Sequence, residues 1–83
     1  MMYRARIKVS LKSGHSDPEG EMTAQSLKEL EYSVKKVSVS KVYEVYFEAD
    51  SKEKAEKAVE EMCRRLLANP TKDDYSFEIE EAR

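Results

Sequence analysis

Few side chains in this chain of 83 residues have the chemistry that catalysis requires. His15 is the single histidine and lies in a polar stretch before a predicted helix, with Asp17 two positions further on. A general base needs an orienting partner and a group to act on, and no serine or cysteine nucleophile is recognisably paired with His15. We therefore expect no catalytic residue in this chain.

Cys63 is the only cysteine, so a disulfide within the chain is excluded. It lies between Met62 and Leu66 on an apolar stripe, where a small buried thiol is a common packing residue. A zinc site needs three or four Cys or His ligands at characteristic spacing, and His15 and Cys63 are far apart in sequence. The sequence predicts no metal ligands and no bound cofactor, and a lone thiol fits a reducing compartment.

Composition limits the class of partner. Fifteen basic residues against seventeen acidic ones give a formal net charge of −2, so the chain as a whole does not attract nucleic acid. No apolar run approaches the roughly 18 residues of a membrane helix, and no signal-peptide pattern follows the first residues. We expect a cytoplasmic protein without a membrane or nucleic-acid partner. Residues 1–83 have the length of one domain with a thin core, which oligomerisation could support.

Hydrophobic periodicity predicts the elements. Residues 3–12 alternate as a half-buried strand, with Arg4, Arg6 and Lys8 on the outer side. Asp17-Pro18 suits an N-cap and the first helical position, and the apolar positions of this first helix are Met22, Ala24, Leu27 and Leu30.

The second half repeats the pattern. Residues 34–49 predict two strands joined by a turn at Ser40-Lys41, with Val37 and Val39 in the first and Tyr43, Val45 and Phe47 in the second. A second helix is expected after a cap at Asp50 or Ser51. Its apolar stripe is Ala55, Ala58, Val59, Met62, Cys63, Leu66 and Leu67. A left-handed cap at Asn69 followed by Pro70 ends this helix, and Tyr75, Phe77 and Ile79 mark a last strand.

The resulting βαββαβ order predicts an α+β, ferredoxin-like two-layer sandwich, an antiparallel sheet of order 4-1-3-2 with both helices on one face. In that order the outer basic residues of strand 1 lie between Glu44, Tyr46 and Glu48 on one side and Glu78 and Glu80 on the other. Such a self-neutralising face needs no ligand, and it could also mate with a copy of itself. Exposed amide groups at the start of the first helix leave a weaker alternative, an anion site.

Four segments resemble the PurS family of phosphoribosylformylglycinamidine (FGAM) synthase, and the resemblance covers nearly the whole chain. They are Val9-Ser10-Leu11-Lys12, Asp17-Pro18-Glu19-Gly20, Met62-Cys63-Arg64-Arg65-Leu66-Leu67-Ala68-Asn69-Pro70 and the strand at Tyr75. The resemblance implies a small non-catalytic subunit of a purine-pathway ligase. It also implies three partners: a large synthetase subunit, a glutamine amidotransferase subunit, and further copies of itself as a homodimer or tetramer. ATP and Mg²⁺ would be used by the complex and not bound by this chain.

The same resemblance marks candidate docking or structural positions, which are Asp17, Pro18, Gly20, Lys41, Cys63, Leu67, Ala68, Asn69 and Pro70. Three positions depart from the family pattern. Ser16 replaces an apolar residue, Glu31 stands where a glycine is common, and Ser40 replaces the glycine of a Gly-Lys turn. The alternative interpretation is a ferredoxin-like module that binds a small regulatory ligand or RNA, because the fold alone supports both.

Overall fold

The computed structural model describes residues 1–82. Three strands and two helices follow one another, with a π-helical extension of the second helix: β1 (Met2–Leu11), α1 (Pro18–Glu29), β2 (Ser40–Glu48), α2 (Lys52–Met62), its π-helical extension (Cys63–Leu67) and β3 (Asp73–Glu81). β1 is the central strand of an antiparallel sheet of order β2-β1-β3. The α+β, ferredoxin-like class is confirmed, and the two neighbours of the first strand are those that the sequence predicted.

One predicted strand is wrong. Residues 32–39 belong to no strand, so the sheet of residues 1–82 has three strands instead of four. Ser40 and Lys41, predicted as a hairpin turn, are the first residues of β2 and lie opposite Ser10 and Val9. The physical reason is that Ser-Lys lacks the positive-φ residues that a two-residue hairpin needs, so the chain continues straight through the pair.

The core lies between the inner face of the sheet and α2. Ile7 and Val59 are fully buried, and both belong to the cluster formed by Ala5, Ile7, Val9, Val59, Cys63 and Ala68. The inner side chains of the flanking strands, such as Phe47 and Phe77, are only partly buried against that cluster. The few side chains of this cluster, between β1 and the second helix, therefore form most of the buried core.

The apolar stripe predicted for α1 divides between two faces. Gly20 and Ala24 are buried, whereas Met22 is 72 % exposed and Leu30 is 69 % exposed. Residues two apart on an α-helix differ by about 200° in direction, so Met22 and Ala24 cannot share one face. The chain thus leaves large apolar side chains of α1 uncovered.

The end of the second helix also differs from the expectation. Its last turn is π-helical, and the amide of Ala68 donates to the carbonyl of Cys63 at 2.9 Å. The helix ends at Ala68, whose backbone is extended, with φ −125° and ψ 142°. Asn69 was expected to have a left-handed backbone, but it is not among the residues described with positive φ. The wider turn buries Cys63 and Ala68 but turns Leu66 outward, so the predicted place of Leu66 on the buried stripe is wrong.

The described chain is long and thin. Its extents are 51 × 29 × 14 Å and its radius of gyration is 16.4 Å. A compact domain of this length would have a radius of gyration of about 12 Å. The larger radius of gyration agrees with an α1 that makes few contacts with the sheet. Because α1 has so few contacts, many apolar side chains are exposed.

Glu31 has a left-handed backbone, with φ 72°, directly after the end of α1. A side chain in this region costs roughly 1 kcal/mol or more, which glycine avoids. We expect Glu31→Gly to raise the free energy of unfolding by about 1 kcal/mol, measured by urea denaturation at fixed protein concentration.

Glu29→Gly is the matched control, because Glu29 is exposed and still helical. There the same change should lower stability by about 0.5–1 kcal/mol. Equal effects of the two substitutions would show that the backbone of Glu31 is not strained.

Candidate functional site

Asp17 joins the start of α1 to the coil that precedes β2. Its carboxylate accepts hydrogen bonds from the amide of Gly20 at 3.0 Å and from the amide of Val39 at 3.0 Å. Pro18 occupies the first turn, so the predicted cap and its proline are both confirmed. A Cβ on Gly20 would lie 2.3 Å from the carbonyl oxygen of Val37, so close packing of α1 on this coil requires a glycine. The coil is held in place without sheet hydrogen bonds.

His15 does not combine with Asp17 in the way that a general base would need. Both carboxylate oxygens of Asp17 accept backbone amides, and the imidazole of His15 is exposed. The same capping geometry weighs against the alternative of an anion site, because the carboxylate already accepts the Gly20 amide at the helix start. The arrangement is structural: it fixes the position of α1.

The two amide donors, from Val39 first and Gly20 second, lower the pKa of Asp17 below its ordinary value. Its contribution to stability is therefore full above the unfolded-state pKa and is lost as the pH falls through the folded pKa. We expect Asp17→Asn to reduce the melting temperature at pH 7 and to flatten the loss of stability below about pH 4, measured by circular dichroism.

Asp74→Asn is the matched control, since Asp74 is an exposed carboxylate on β3 and supplies no cap. It should leave the melting temperature at pH 7 and the shape of the acid profile nearly unchanged. If the Asp17 and Asp74 variants had the same acid profile, the amide bonds to Asp17 would not be the source of the effect.

The candidate residues at the end of the second helix mostly face inward. Cys63 is fully buried, Ala68 is 6 % exposed and Leu67 packs against the core. Burial, followed by the charge of Glu60, raises the pKa of the Cys63 thiol, so the buried thiol stays protonated at neutral pH. These three side chains support the fold, and a partner could reach little of Cys63 or Ala68.

Asn69 and Pro70 form the loop into β3. The side-chain oxygen of Asn69 accepts a hydrogen bond from the backbone amide of Thr71 at 2.9 Å. The backbone amide of Asn69 donates to the Asp73 carboxylate at 2.9 Å. Pro70 is exposed beside this turn. Asn69 therefore shapes the connection, as an Asx turn does.

A groove of about 240 Å³ brings several candidates together from distant parts of the chain. Asp17, Lys41 and Leu67 line it, and Val9 contributes to its apolar lining. The start of α1 and the end of the second helix therefore lie on the same side of the sheet. Of the candidate positions, these three come closest to forming one surface.

The outer face of the sheet has the alternating charges that were predicted. Arg4 forms ion pairs with Glu80 and with Glu44, the latter at 3.7 Å. Arg6 lies opposite Glu44 on one strand and Glu78 on the other. Exposed pairs of this kind are worth only about 0–1 kcal/mol, so they add little to the stability of the sheet.

One contact was missed by the sequence reasoning. The hydroxyl of Tyr75 on β3 donates a hydrogen bond to the Glu60 carboxylate on α2. This bond, with burial as the next cause, raises the pKa of Tyr75. The sequence offered two signals of this contact: Tyr75 is at an inward position of a predicted strand, and Glu60 is beside the apolar stripe of the second helix. They do not fix the pairing, which depends on how α2 crosses the sheet.

Across residues 1–82 there is no group of three or more His, Cys, Asp or Glu side chains that could hold a metal ion. Within the same part of the chain, neither helix has the length and apolarity needed to cross a bilayer.

Sequence comparison agrees with the resemblance found in the motifs. Residues 4–81 match the family model described as PurS: phosphoribosylformylglycinamidine (FGAM) synthase. The phosphoribosylformylglycinamidine synthase subunit PurS of Archaeoglobus fulgidus is 48 % identical over 74 residues, which are 88 % of this chain and 92 % of that protein.

Solved structures agree over the full length. PurS of Methanocaldococcus jannaschii, one of the subunits of formylglycinamide ribonucleotide amidotransferase in the purine biosynthetic pathway, has a TM-score of 0.84 and 35 % identity. The match covers 98 % of this chain and 99 % of that one. A chain of PurLQS from Thermotoga maritima has a TM-score of 0.86 and 32 % identity, covering 96 % and 99 % of the two chains. With its sequence and its fold in agreement from end to end, this chain belongs to the PurS family of FGAM synthase.

Proposed function

We propose that this chain is the small non-catalytic subunit that assembles FGAM synthase, bringing a glutamine-hydrolysing subunit and an ATP-dependent synthetase subunit into one complex. The observation that carries the proposal is the end-to-end match with a chain of PurLQS. The engagement of Asp17 with backbone amides, which leaves His15 without its nearest partner, supports a role without chemistry of its own. ATP and Mg²⁺ would bind to the synthetase subunit.

We further propose that the subunit works as a homo-oligomer in the cytoplasm. The support is physical: the described chain is thin, and Met22, Leu30 and Tyr32 present large apolar surfaces to solvent. β2 and β3 are edge strands whose outer backbone groups have no partner within residues 1–82, and such edges are natural pairing sites. A second copy that covers α1 would supply the burial that one copy lacks.

The test is reconstitution with the two larger subunits of the same organism. The purified chain should co-elute with them in size-exclusion chromatography and should restore glutamine-dependent amidine formation. Activity with free ammonia separates assembly from chemistry, since the synthetase subunit should use ammonia with or without this chain.

Two results would contradict the proposal. One is failure of the chain to bind either larger subunit. The other is full glutamine-dependent activity of the larger subunits when this chain is left out.

A further inference from the structure

The segment that leads into β2, residues 34–39, is defined here as the arm. Its burial alternates as in an extended chain, with Val37 and Val39 half-buried and Ser38 exposed. The alternation continues in phase into β2, where the inner side chains are also the odd-numbered ones. Within residues 1–82, however, no backbone–backbone hydrogen bond joins the arm to a strand. The arm therefore has the pattern of a strand but no strand beside it.

The two edges of the arm have different surroundings. The amide of Val39 donates to the Asp17 carboxylate at 3.0 Å, and the carbonyl of Val37 lies against Gly20, so this edge faces the start of α1. In an extended chain the backbone groups of successive residues point to opposite edges. Those of Ser38 therefore point away from α1, and they have no backbone partner in the described part of the chain. The outer edge of the arm is free to pair.

β2 has a matching free edge. Along one edge it pairs with β1, and the other edge has no neighbour within the described chain. α2 packs mainly over β1 and β3, so the inner side chains Tyr43, Val45 and Phe47 of β2 are only partly buried. The ferredoxin-like order 4-1-3-2 has a fourth strand beside this edge and a second helix on the same face. A strand and a helix that would fill these places exist in every copy, as the arm and α1.

We propose that the arm pairs antiparallel with the free edge of β2 in a second copy of this chain, and that the second copy does the same in return. Because the chain runs straight through Ser40 and Lys41, the arm is carried away from its own β2 and can complete the strand order only between copies, as in a domain-swapped dimer. A two-fold axis near this pair forms both contacts at once, since the arm and β2 are one continuous segment.

The dimer would give each sheet four strands. α1, which Asp17 fixes to the arm, would move with it onto the inner side chains of the second copy's β2. The exposed helix and the uncovered part of the sheet would then cover each other. The inference rests on the proposed homo-oligomer and assigns it a contact.

Cysteine pairs test the contact directly. Ser38 and Val42 are about 13 Å apart in an extended chain, at about 3.3 Å per residue, and a disulfide spans at most about 7 Å between Cα atoms. A disulfide between these positions therefore has to join two copies. With the axis at Ser40, residue 38 lies opposite Val42 of the second copy, and with the axis at Lys41 it lies opposite Glu44. One of the double variants Ser38→Cys/Val42→Cys and Ser38→Cys/Glu44→Cys should give covalent dimers on mild oxidation, seen on a non-reducing gel.

The matched control is Ser38→Cys/Ser76→Cys. Ser76 is exposed on β3, which β1 separates from the free edge of β2. This pair should give no covalent dimer. The native Cys63 can stay in all variants, because it is fully buried.

Proline substitutions give an independent measure. Ser38→Pro removes an amide from the free edge of the arm, whereas Lys35→Pro removes one from the edge that faces α1. Multi-angle light scattering should give the wild type and Lys35→Pro the same mass, at least twice the 9.6 kDa of one chain. Ser38→Pro should have half the wild-type mass or less. Circular dichroism should show that it keeps its helices, and if it does not fold, the cysteine pairs still decide.

The outcomes separate this contact from the assembly function. A wild-type dimer in which neither cysteine pair cross-links, or in which the Ser76 control cross-links equally, would overturn the arm contact and leave the homo-oligomer standing. A wild-type mass of one chain would overturn both. Binding to the larger subunits is tested by co-elution, so a single-chain protein that still co-elutes would keep the assembly function.

Discussion

Replacing Ile7 by alanine is expected to lower the free energy of unfolding by about 2–5 kcal/mol, the range for a large-to-small change in a packed core. Ile7 is fully buried at the centre of β1, and with Val59 and Cys63 it is one of the three largest fully buried side chains described. Domains of this size have a total stability of only roughly 5–12 kcal/mol. The loss should therefore populate unfolded chains at physiological temperature, and urea denaturation at fixed protein concentration would measure it.

Val42→Ala is the control for this prediction. Val42 is on β2 and half exposed, so the same kind of truncation should change stability by no more than about 0.5 kcal/mol. A loss at Ile7 as small as the loss at Val42 would show that the inner face of β1 does not form the main core.

Introducing carboxylates at Leu30 and Tyr32 should convert the proposed homo-oligomer into single chains. Tyr32 is 62 % exposed just after α1, close to the exposed Leu30. Covering these side chains with a second copy removes apolar area from water, and Leu30→Glu/Tyr32→Glu would force charges into that contact. The expected result is a solution mass that falls to the 9.6 kDa of one chain, measured by multi-angle light scattering.

Gln25→Glu/Ser33→Glu is the matched control, because it adds two carboxylates at exposed polar positions of the same region. Its solution mass should equal that of the wild type. A wild-type mass of one chain, or a Leu30/Tyr32 variant that keeps the wild-type mass, would contradict the role assigned to this apolar surface.

Local signals in the sequence predicted much of the fold. The alternation around Ile7 predicted the first strand, and the βαββαβ order predicted which two strands flank it. The Asp17-Pro18 pair predicted the start of α1, and of the two candidate caps for α2 the structure uses Ser51, whose hydroxyl accepts the Lys54 amide at 3.2 Å. Caps and alternation act over a few residues, so a sequence is enough to find them.

The parts that sequence reasoning missed depend on non-local geometry. Val37 and Val39 alternate as a strand would, but residues 32–39 pair with no strand of the same chain, and the amide of Val39 is bound instead by the Asp17 carboxylate. Leu66 has the spacing of a buried helical residue, and only the π turn reveals that it faces outward. The groove that joins Asp17, Lys41 and Leu67 could not be read from motifs, because it depends on how α1 leaves the sheet.

The bond from Val39 to Asp17 has a consequence for the order of folding. It joins positions 22 residues apart and closes a loop that contains all of α1. Closing that loop costs chain entropy, and the coil makes no strand pairing within the chain that would offset this cost. We expect α1 and the coil to become ordered together, late in folding, so a substitution at Asp17 should accelerate unfolding more than it slows refolding.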